Sequence, residues 1–224
     1  MLVGVKDHGC AGVLALDRNL LGRRTFVAGA CATGALSAQP LCAQTRSLSW
    51  SAQDQLDFAA FVRGFARYYT AKVDCADLAL DSLLTFAANR KLPVRLFDFD
   101  GPGRTKRWLT YDPRRDDWRV KRAFLMQQLG AINVIENSRN IPLSEVRSGD
   151  LIMHENIGSG DYTGHTRLLI SARFDTNRRD YYLVRYEGDL PPAVPVVEEG
   201  WFKELDNVSG GSPKRWNFGQ FGMT

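Results

Sequence analysis

The sequence predicts an α+β protein in which two N-terminal helices precede a group of antiparallel strands. Residues 51–70 and 74–89 carry apolar side chains at the spacing of amphipathic helices. Beyond Pro142 the chain changes to short segments rich in branched and aromatic residues, separated by clusters of Gly, Asn and Asp. Helices followed by strands are typical of a domain in which the helices pack on one antiparallel sheet.

The fractions of hydrophobic and charged residues exclude several classes of protein. The chain has 224 residues, of which 44% are hydrophobic and 24% are charged. These values exclude a disordered, collagen-like or coiled-coil protein. No apolar run reaches the roughly 18 residues that a membrane-spanning helix needs, which excludes a multi-span membrane protein.

The first 43 residues have the features of an export signal. Arg23 and Arg24 precede residues 25–38, a weakly apolar, Ala- and Gly-rich run without a charge, and the run gives way to small residues. The paired arginines resemble a twin-arginine signal, and a general secretory signal is the alternative. We therefore expect residues 44–224 to form a single mature domain that is periplasmic or secreted and keeps no membrane anchor.

Removal of this leader changes both the charge and the set of reactive side chains. The mature part keeps 25 basic and 23 acidic residues once four basic and two acidic ones are lost. Such a nearly neutral body argues against a dedicated nucleic-acid binder. One cysteine, Cys75, and two histidines, His154 and His165, remain. Because a single cysteine cannot form an intrachain disulfide, Cys75 is a reactive thiol, half of an intermolecular disulfide, or a buried and inert side chain.

Local signals mark the ends of both helices. Ser51 is typical of an N-cap, with Asp54 as the acidic residue of the first turn. The second helix is predicted to begin at Asp74. Basic residues, of which Arg90 is the first, suit the negative end of its dipole, and Pro93 confirms the stop.

Residues 92–140 are predicted to hold two short strands, 92–97 and 107–111, joined by a turn at 100–103. A helix over 118–129 follows and ends at a glycine.

Three further strands, 150–154, 166–174 and 181–187, are predicted from their branched and aromatic residues. We interpret residues 209–213 as a flexible bend, and we expect the aromatic residues of the C-terminal tail to pack on the body of the domain.

Cys75 directly follows a predicted helix N-cap. The oriented peptide N–H groups and the positive end of the helix dipole stabilise a thiolate there, whereas Asp74 and Asp77 oppose it by like-charge repulsion. A neighbouring imidazole completes the activation by forming a thiolate–imidazolium pair. His165 is the preferred partner because it begins an apolar strand, and we expect His154 to face solvent.

A third member of the site follows from the predicted hairpin of the last two strands. That hairpin places His165 opposite approximately position 190. A register error of two or three residues brings Glu187 and Asp189 within reach, and either carboxylate can hold the tautomer of the imidazole. Glu187 is the preferred residue and Asp189 the alternative. The alternative to a catalytic role is that Glu187 is a surface carboxylate that pairs with Arg185.

Three motifs stand in a characteristic order: Asp74-Cys75-Ala76 at a helix start, Ser148-Gly149-Asp150-Leu151-Ile152 leading into a strand, and Gly164-His165-Thr166 at the start of a hydrophobic strand. Together they resemble the NlpC family of papain-like cysteine peptidases and amidases. The resemblance spans about half of the chain and implies a papain-like α+β fold with residues 92–140 as an insertion. It implies that Cys75 is the nucleophile and that His165 is the base and later the acid.

The segment from residue 104 to 122 combines eight basic residues with three aromatic ones. This composition suits single-stranded nucleic acid or an anionic cell-wall polymer, and it is also typical of a solvated face. An exported protein meets cell-wall glycopeptide more readily than nucleic acid. We therefore predict that the segment borders a substrate groove, through Trp108, Arg114, Arg115 and Arg119.

A metal site is a competing hypothesis, built from His154, Glu155, Asp161 and His165. Because neither an HExxH motif nor another tight pair of ligands is present, we expect neither a metal ion nor a cofactor.

The sequence thus predicts an exported cysteine hydrolase that cleaves amide bonds in peptidoglycan stem peptides. A catalytically inactive binding protein of the cell envelope, built on the same fold, is the alternative.

Overall fold

The computed structural model of the protein describes residues 49–65, 69–98, 107–155, 164–188, 194–207 and 210–222. All of them belong to the second of two units into which the chain divides, Thr45–Thr224. The predicted leader and Asp189 lie outside the described residues. No helix in the described ranges combines the length and the apolar character needed to cross a membrane.

The described chain contains helices and an antiparallel sheet, which confirms the predicted α+β class. The α-helices are α1 (Ala52–Phe65), α2 (Cys75–Arg90), α3 (Trp118–Gln128) and α4 (Ala131–Glu136). The strands are β1 (Val94–Asp98), β2 (Arg107–Tyr111), β3 (Ser138–Asn140), β4 (Leu151–Glu155), β5 (Gly164–Asp175), β6 (Asp180–Glu187), β7 (Val196–Trp201) and β8 (Gly211–Trp216). Short 3-10 turns, Leu143–Glu145 and Phe218–Gln220, and a π-helical segment, Lys203–Asn207, complete the described elements.

Helix α1 begins as the sequence predicts but is shorter than predicted. The backbone N–H of Asp54 donates to the Ser51 hydroxyl at 3.1 Å, and the backbone N–H of Ser51 donates to the Asp54 carboxylate at 2.9 Å, which forms a reciprocal cap. The described helix is Ala52–Phe65, and Tyr69, which was predicted to be helical, lies outside any described helix. The Tyr69 hydroxyl donates to Asp81 of α2 at 2.6 Å.

Helix α2 confirms the predicted element over 74–89 to within one residue at each end. The Asp74 side chain accepts a hydrogen bond from the backbone N–H of Asp77 at 2.7 Å, as an N-cap does. Lys91 adopts a left-handed conformation with φ 54° and donates its backbone N–H to the last turn. Pro93 then follows. Local signals at both ends therefore fix the position of the residue that begins the helix, Cys75.

Six strands form one antiparallel sheet in the order β3-β8-β4-β5-β6-β7. The register of β4 with β5 places His154 directly opposite His165. The hairpin of β5 and β6 contains a register shift between Leu169 and Ser171. Strands β1 and β2 form a separate two-stranded antiparallel sheet inside the predicted insertion.

The main core contains side chains of the helices together with side chains of the sheet. Leu83 and Leu84 of α2, Leu151 of β4 and Leu168 of β5 are all at most 1% exposed in one cluster. Burial of each such side chain contributes about 1.5–3 kcal/mol. Helix α2 therefore packs through this core against strands β4 and β5, which carry the two histidines.

The C-terminal tail packs on this core, as predicted. Trp216, Phe218 and Phe221 are buried and belong to the same cluster as Trp50. The prediction of a flexible bend over 209–213 is wrong from Gly211 onward, because these residues begin strand β8, which pairs with both β3 and β4. Glycine and proline do not favour a strand, and the pairing of β8 with a neighbour on each side holds these residues in an extended conformation.

The insertion is tied to α2 by a buried ion pair. Arg122 of α3 donates from Nε and Nη2 to the two carboxylate oxygens of Asp81, each at 2.5 Å. The Asp81 side chain is 3% exposed. Because this carboxylate also accepts from the hydroxyls of Tyr69 and Thr85, four side-chain donors converge on one residue of α2.

Candidate active site

Cys75 is the first residue of α2, and its placement depends on a close approach by the sheet. A Cβ atom added to Gly188, which directly follows β6, would lie 2.9 Å from the carbonyl oxygen of Asp74 and 3.1 Å from Cα of Cys75. Only glycine allows the end of β6 to come so near the start of α2. Sequence reasoning missed Gly188; its position directly after Glu187 is the signal that could have identified it.

The His165 side chain joins Cys75 to Glu187. The ring interacts electrostatically with the Cys75 side chain, and its Nε2 forms a hydrogen bond with Oε1 of Glu187. The three residues proposed from the sequence as nucleophile, base and orienting carboxylate are thus brought into one connected group.

The electrostatics of this group favour a charged imidazole. Burial alone would lower the pKa of His165, but the interactions of the ring with Glu187 and Cys75 outweigh burial and raise the pKa to about 9. Burial likewise tends to raise the pKa of Glu187, yet its contacts with His165 and Arg167 lower it. At neutral pH, therefore, an imidazolium lies between a carboxylate and the sulfur.

The hairpin register explains why Glu187, rather than a residue further along, reaches the histidine. The bulge near Leu169 shifts the pairing by one residue, so that Arg167 lies directly opposite Glu187. Glu187 is then the diagonal neighbour of His165 on the same face of the sheet. The alternative pairing with Arg185 is not what the structure has, because the guanidinium of Arg185 pairs with Glu198 at 3.0 Å and with Asp206.

A second carboxylate near the nucleophile has an altered pKa. Burial, together with the negative charges of Asp74 and Asp81, raises the pKa of Asp77 to about 6 against the opposing charge of Arg122. The repulsion expected between these carboxylates and a thiolate at Cys75 stays a prediction.

The expectation that His154 faces solvent is wrong. Its side chain is fully buried, and Nε2 lies 3.2 Å from Oδ1 of Asp206, which is also fully buried. Strand β8 covers it, since a Cβ atom added to Gly211 would lie 2.8 Å from the His154 ring. The ring centroids of His154 and His165 are 6.4 Å apart. In the described ranges no group of three or more His, Cys, Asp or Glu could hold a metal ion, and Asp161 of the competing metal hypothesis lies outside them.

The basic and aromatic residues predicted to bind substrate lie on β2, on α3 and between them. Trp108 is 43% exposed, and the guanidinium of Arg95 stacks on its ring at 4.3 Å. Arg114 donates to Asp112 from Nε at 2.9 Å, from Nη2 at 2.8 Å and from its backbone N–H at 3.0 Å. No hydrogen bond, ion pair or ring contact among the described residues joins the four predicted binding residues, Trp108, Arg114, Arg115 and Arg119, to the connected group of Cys75, His165 and Glu187. Their binding role stays a prediction.

The Gly-Asp-Leu motif serves to hold the sheet. Gly149 has φ +84°, and its missing Cβ leaves room for the Phe58 ring of α1 at 3.0 Å. The Asp150 carboxylate accepts two hydrogen bonds from Arg215 of β8, at 2.7 Å and 2.8 Å. Arg215 was not identified from the sequence, because the strand that carries it was not predicted.

The arrangement has the parts needed for nucleophilic acyl transfer. A thiol lies beside a protonated imidazole, a carboxylate orients that imidazole, and the thiol begins a helix whose N-terminal N–H groups suit a developing oxyanion. No hydrogen bond within the described ranges uses the backbone N–H of Cys75. No protein-family model, curated protein or solved structure matches the chain.

Proposed function

We propose that the protein is an exported cysteine hydrolase with a papain-like fold of the NlpC type, and that it cleaves an amide bond. One observation carries the proposal: the His165 ring interacts electrostatically with the only cysteine of the predicted mature domain and is hydrogen-bonded to Glu187. Nucleophile, base and orienter within hydrogen-bond reach form the signature of activated nucleophilic catalysis.

The first half of the reaction forms an acyl-enzyme. The Cys75 thiolate attacks the carbonyl carbon of the amide, a C–S bond forms, and the carbonyl oxygen takes the negative charge. The backbone N–H of Cys75 is the donor that stabilises this oxyanion. The C–N bond then breaks while the His165 imidazolium gives its proton to the leaving amine.

The second half returns the enzyme to its starting state. Neutral His165 takes a proton from water as the water oxygen attacks the thioester carbon. The C–S bond breaks, and the product leaves as a carboxylic acid. Glu187 holds the imidazole in one orientation throughout and transfers no proton itself.

The proposed substrate class is the stem peptide of peptidoglycan. The support is the leader composition of residues 1–43, which favours a location where cell-wall amides are available. An inactive binding protein of the cell envelope is a second candidate. Two observations favour it: Cys75 is only 4% exposed, and a second acidic side chain, Asp77, lies in the first turn after it.

Release of amino groups from purified peptidoglycan fragments separates the two candidates. Wild-type protein should release them, whereas Cys75→Ser should lose this activity and keep its fold by circular dichroism. His165→Gln should be nearly as damaging, because a nucleophile and its base act as one unit. Wild-type protein that binds the fragments and releases nothing, with Cys75→Ser binding equally well, would overturn the hydrolase and support the binding protein.

A further inference from the structure

Arg167 lies between the candidate active site and a second polar cluster of the sheet. It stands directly opposite Glu187 in the pairing of β5 with β6. Its Nε donates to Oε2 of Glu187, and its Nη1 lies 3.8 Å from Oδ1 of Asp206. The side chains of Arg167 and Glu187 are 17% and 15% exposed, so water screens their interaction weakly.

The contacts of Glu187 divide its two oxygens between two partners. Oε1 faces Nε2 of His165, and Oε2 faces Nε of Arg167. A carboxylate held at both oxygens cannot rotate about its terminal bond without losing a charge-assisted hydrogen bond. Such bonds are about twice as strong as neutral ones.

The far side of Arg167 faces Asp206 across an ion pair of 3.8 Å, and its Nη1 makes no hydrogen bond with a described residue. Asp206 is fully buried and pairs with Arg185 of β6 and with His154 of β4. Its carboxylate therefore forms an anchor that lies outside the connected group of Cys75, His165 and Glu187. Arg167 lies between that anchor and Glu187 and donates its hydrogen bond to Glu187.

We propose that Arg167 is a positioning residue of the site, which holds Glu187 so that one carboxylate oxygen stays directed at His165. A role of Arg167 in catalysis rests on the proposed function. Its effect on the orientation of the Glu187 carboxylate does not depend on that function. Arg167 is also one of the influences that lower the pKa of Glu187, both through its charge and through its hydrogen bond. It therefore keeps Glu187 in the charged form that accepts from an imidazolium.

The test is the titration of the Glu187 carboxyl carbon by ¹³C NMR, assigned with Glu187→Gln. In Arg167→Gln the midpoint should rise by about 1–3 pH units, which is the usual effect of a neighbouring opposite charge. Arg167→Lys should restore most of this shift because it keeps the charge. Arg215→Gln is the matched control: it removes a buried arginine of the same sheet that pairs with Asp150 rather than with Asp206 or Glu187, and it should leave the midpoint unchanged.

Equal midpoints in folded wild type and Arg167→Gln would overturn the inference. If Arg167→Gln does not fold, the test is repeated on Arg167→Lys by measuring proton exchange at His165. This variant loses the planar fork, so the His165 imidazolium N–H proton should exchange faster with water than in wild type, and an unchanged exchange rate would overturn the inference. Neither measurement uses substrate, so a protein without hydrolase activity would refute the proposed function and leave the result on Arg167 intact.

Discussion

The backbone of Gly188 lies against the backbone of Cys75, so that a Cβ atom at position 188 would come within 3.1 Å of Cα of Cys75. The contact joins the end of β6, which carries Glu187, to the start of α2. It thereby sets the separation between the thiol and the carboxylate at the two ends of the connected group.

Gly188→Ala should impair the candidate site more than the fold. The new methyl group would lie 2.9 Å from the Asp74 carbonyl oxygen, and a backbone atom cannot yield as a flexible side chain does. We expect amide hydrolysis to fall at least tenfold, because small displacements of a nucleophile can cost about a hundredfold in rate. The free energy of unfolding should fall by about 1–3 kcal/mol.

Gly64→Ala is the control for this substitution. Gly64 lies within α1, and a Cβ atom added there has no neighbour within 4 Å. This variant should be as stable as the wild type or more stable by up to about 1 kcal/mol. Full hydrolytic activity in Gly188→Ala would show that the close approach has no part in the chemistry.

The pH dependence of stability should report the raised pKa of His165. That pKa is about 9 in the folded protein against an ordinary value of 6.5. A group whose pKa rises on folding stabilises the protein fully below its unfolded pKa, and this contribution is lost as the pH rises through the folded pKa. Urea denaturation should therefore give a free energy of unfolding that falls between pH 7 and pH 9.

His165→Gln should flatten this dependence, since glutamine does not titrate. Asp77 contributes little to the change in stability between pH 7 and pH 9, because its pKa of about 6 lies below this range. Identical slopes for the wild type and His165→Gln would contradict the assignment of the raised pKa to this histidine.

Arg122→Met should destabilise the domain strongly. It leaves the Asp81 carboxylate, 3% exposed, without its bidentate cation, and the loss of one partner of a buried ion pair costs about 3–5 kcal/mol. The double variant Asp81→Asn/Arg122→Met should recover part of the loss because no unpaired charge remains.

Glu204→Gln provides the comparison at the surface. Glu204 is 58% exposed and pairs with Arg178, so this change should cost no more than about 1 kcal/mol. Chemical denaturation of the three variants gives the comparison. An Arg122→Met protein as stable as Glu204→Gln would mean that the insertion is not held by this ion pair.

Local signals predicted those parts of the fold that depend on neighbouring residues. The N-cap at Asp74 and the stop at Pro93 fixed α2, and with it the location of Cys75. The alternation of branched and aromatic residues fixed the hairpin of β5 and β6. The bulge near Leu169 moved its register by one residue, which the sequence pattern does not encode.

The remaining features depend on contacts between distant segments. His154 is buried because β8 covers it, and β8 contains Gly211 and Pro213, which do not predict a strand. The short helix α4 was likewise not predicted, since its six residues are too few to show a helical period. The role of Arg167 becomes visible only once the pairing with Glu187 is known, although a charge two residues after His165 on an apolar strand is a signal that sequence reading can use.

The most direct test of the central claim is capture of the acyl-enzyme. The wild-type protein is mixed with a peptidoglycan stem peptide, quenched in acid within the first turnover, and digested for mass spectrometry. We predict that the peptide containing Cys75 gains the mass of the acyl part of the substrate, that hydroxylamine removes this mass, and that Cys75→Ala never acquires it. Hydrolysis of the substrate without any adduct at Cys75, and with equal rates in the wild type and Cys75→Ala, would contradict the account.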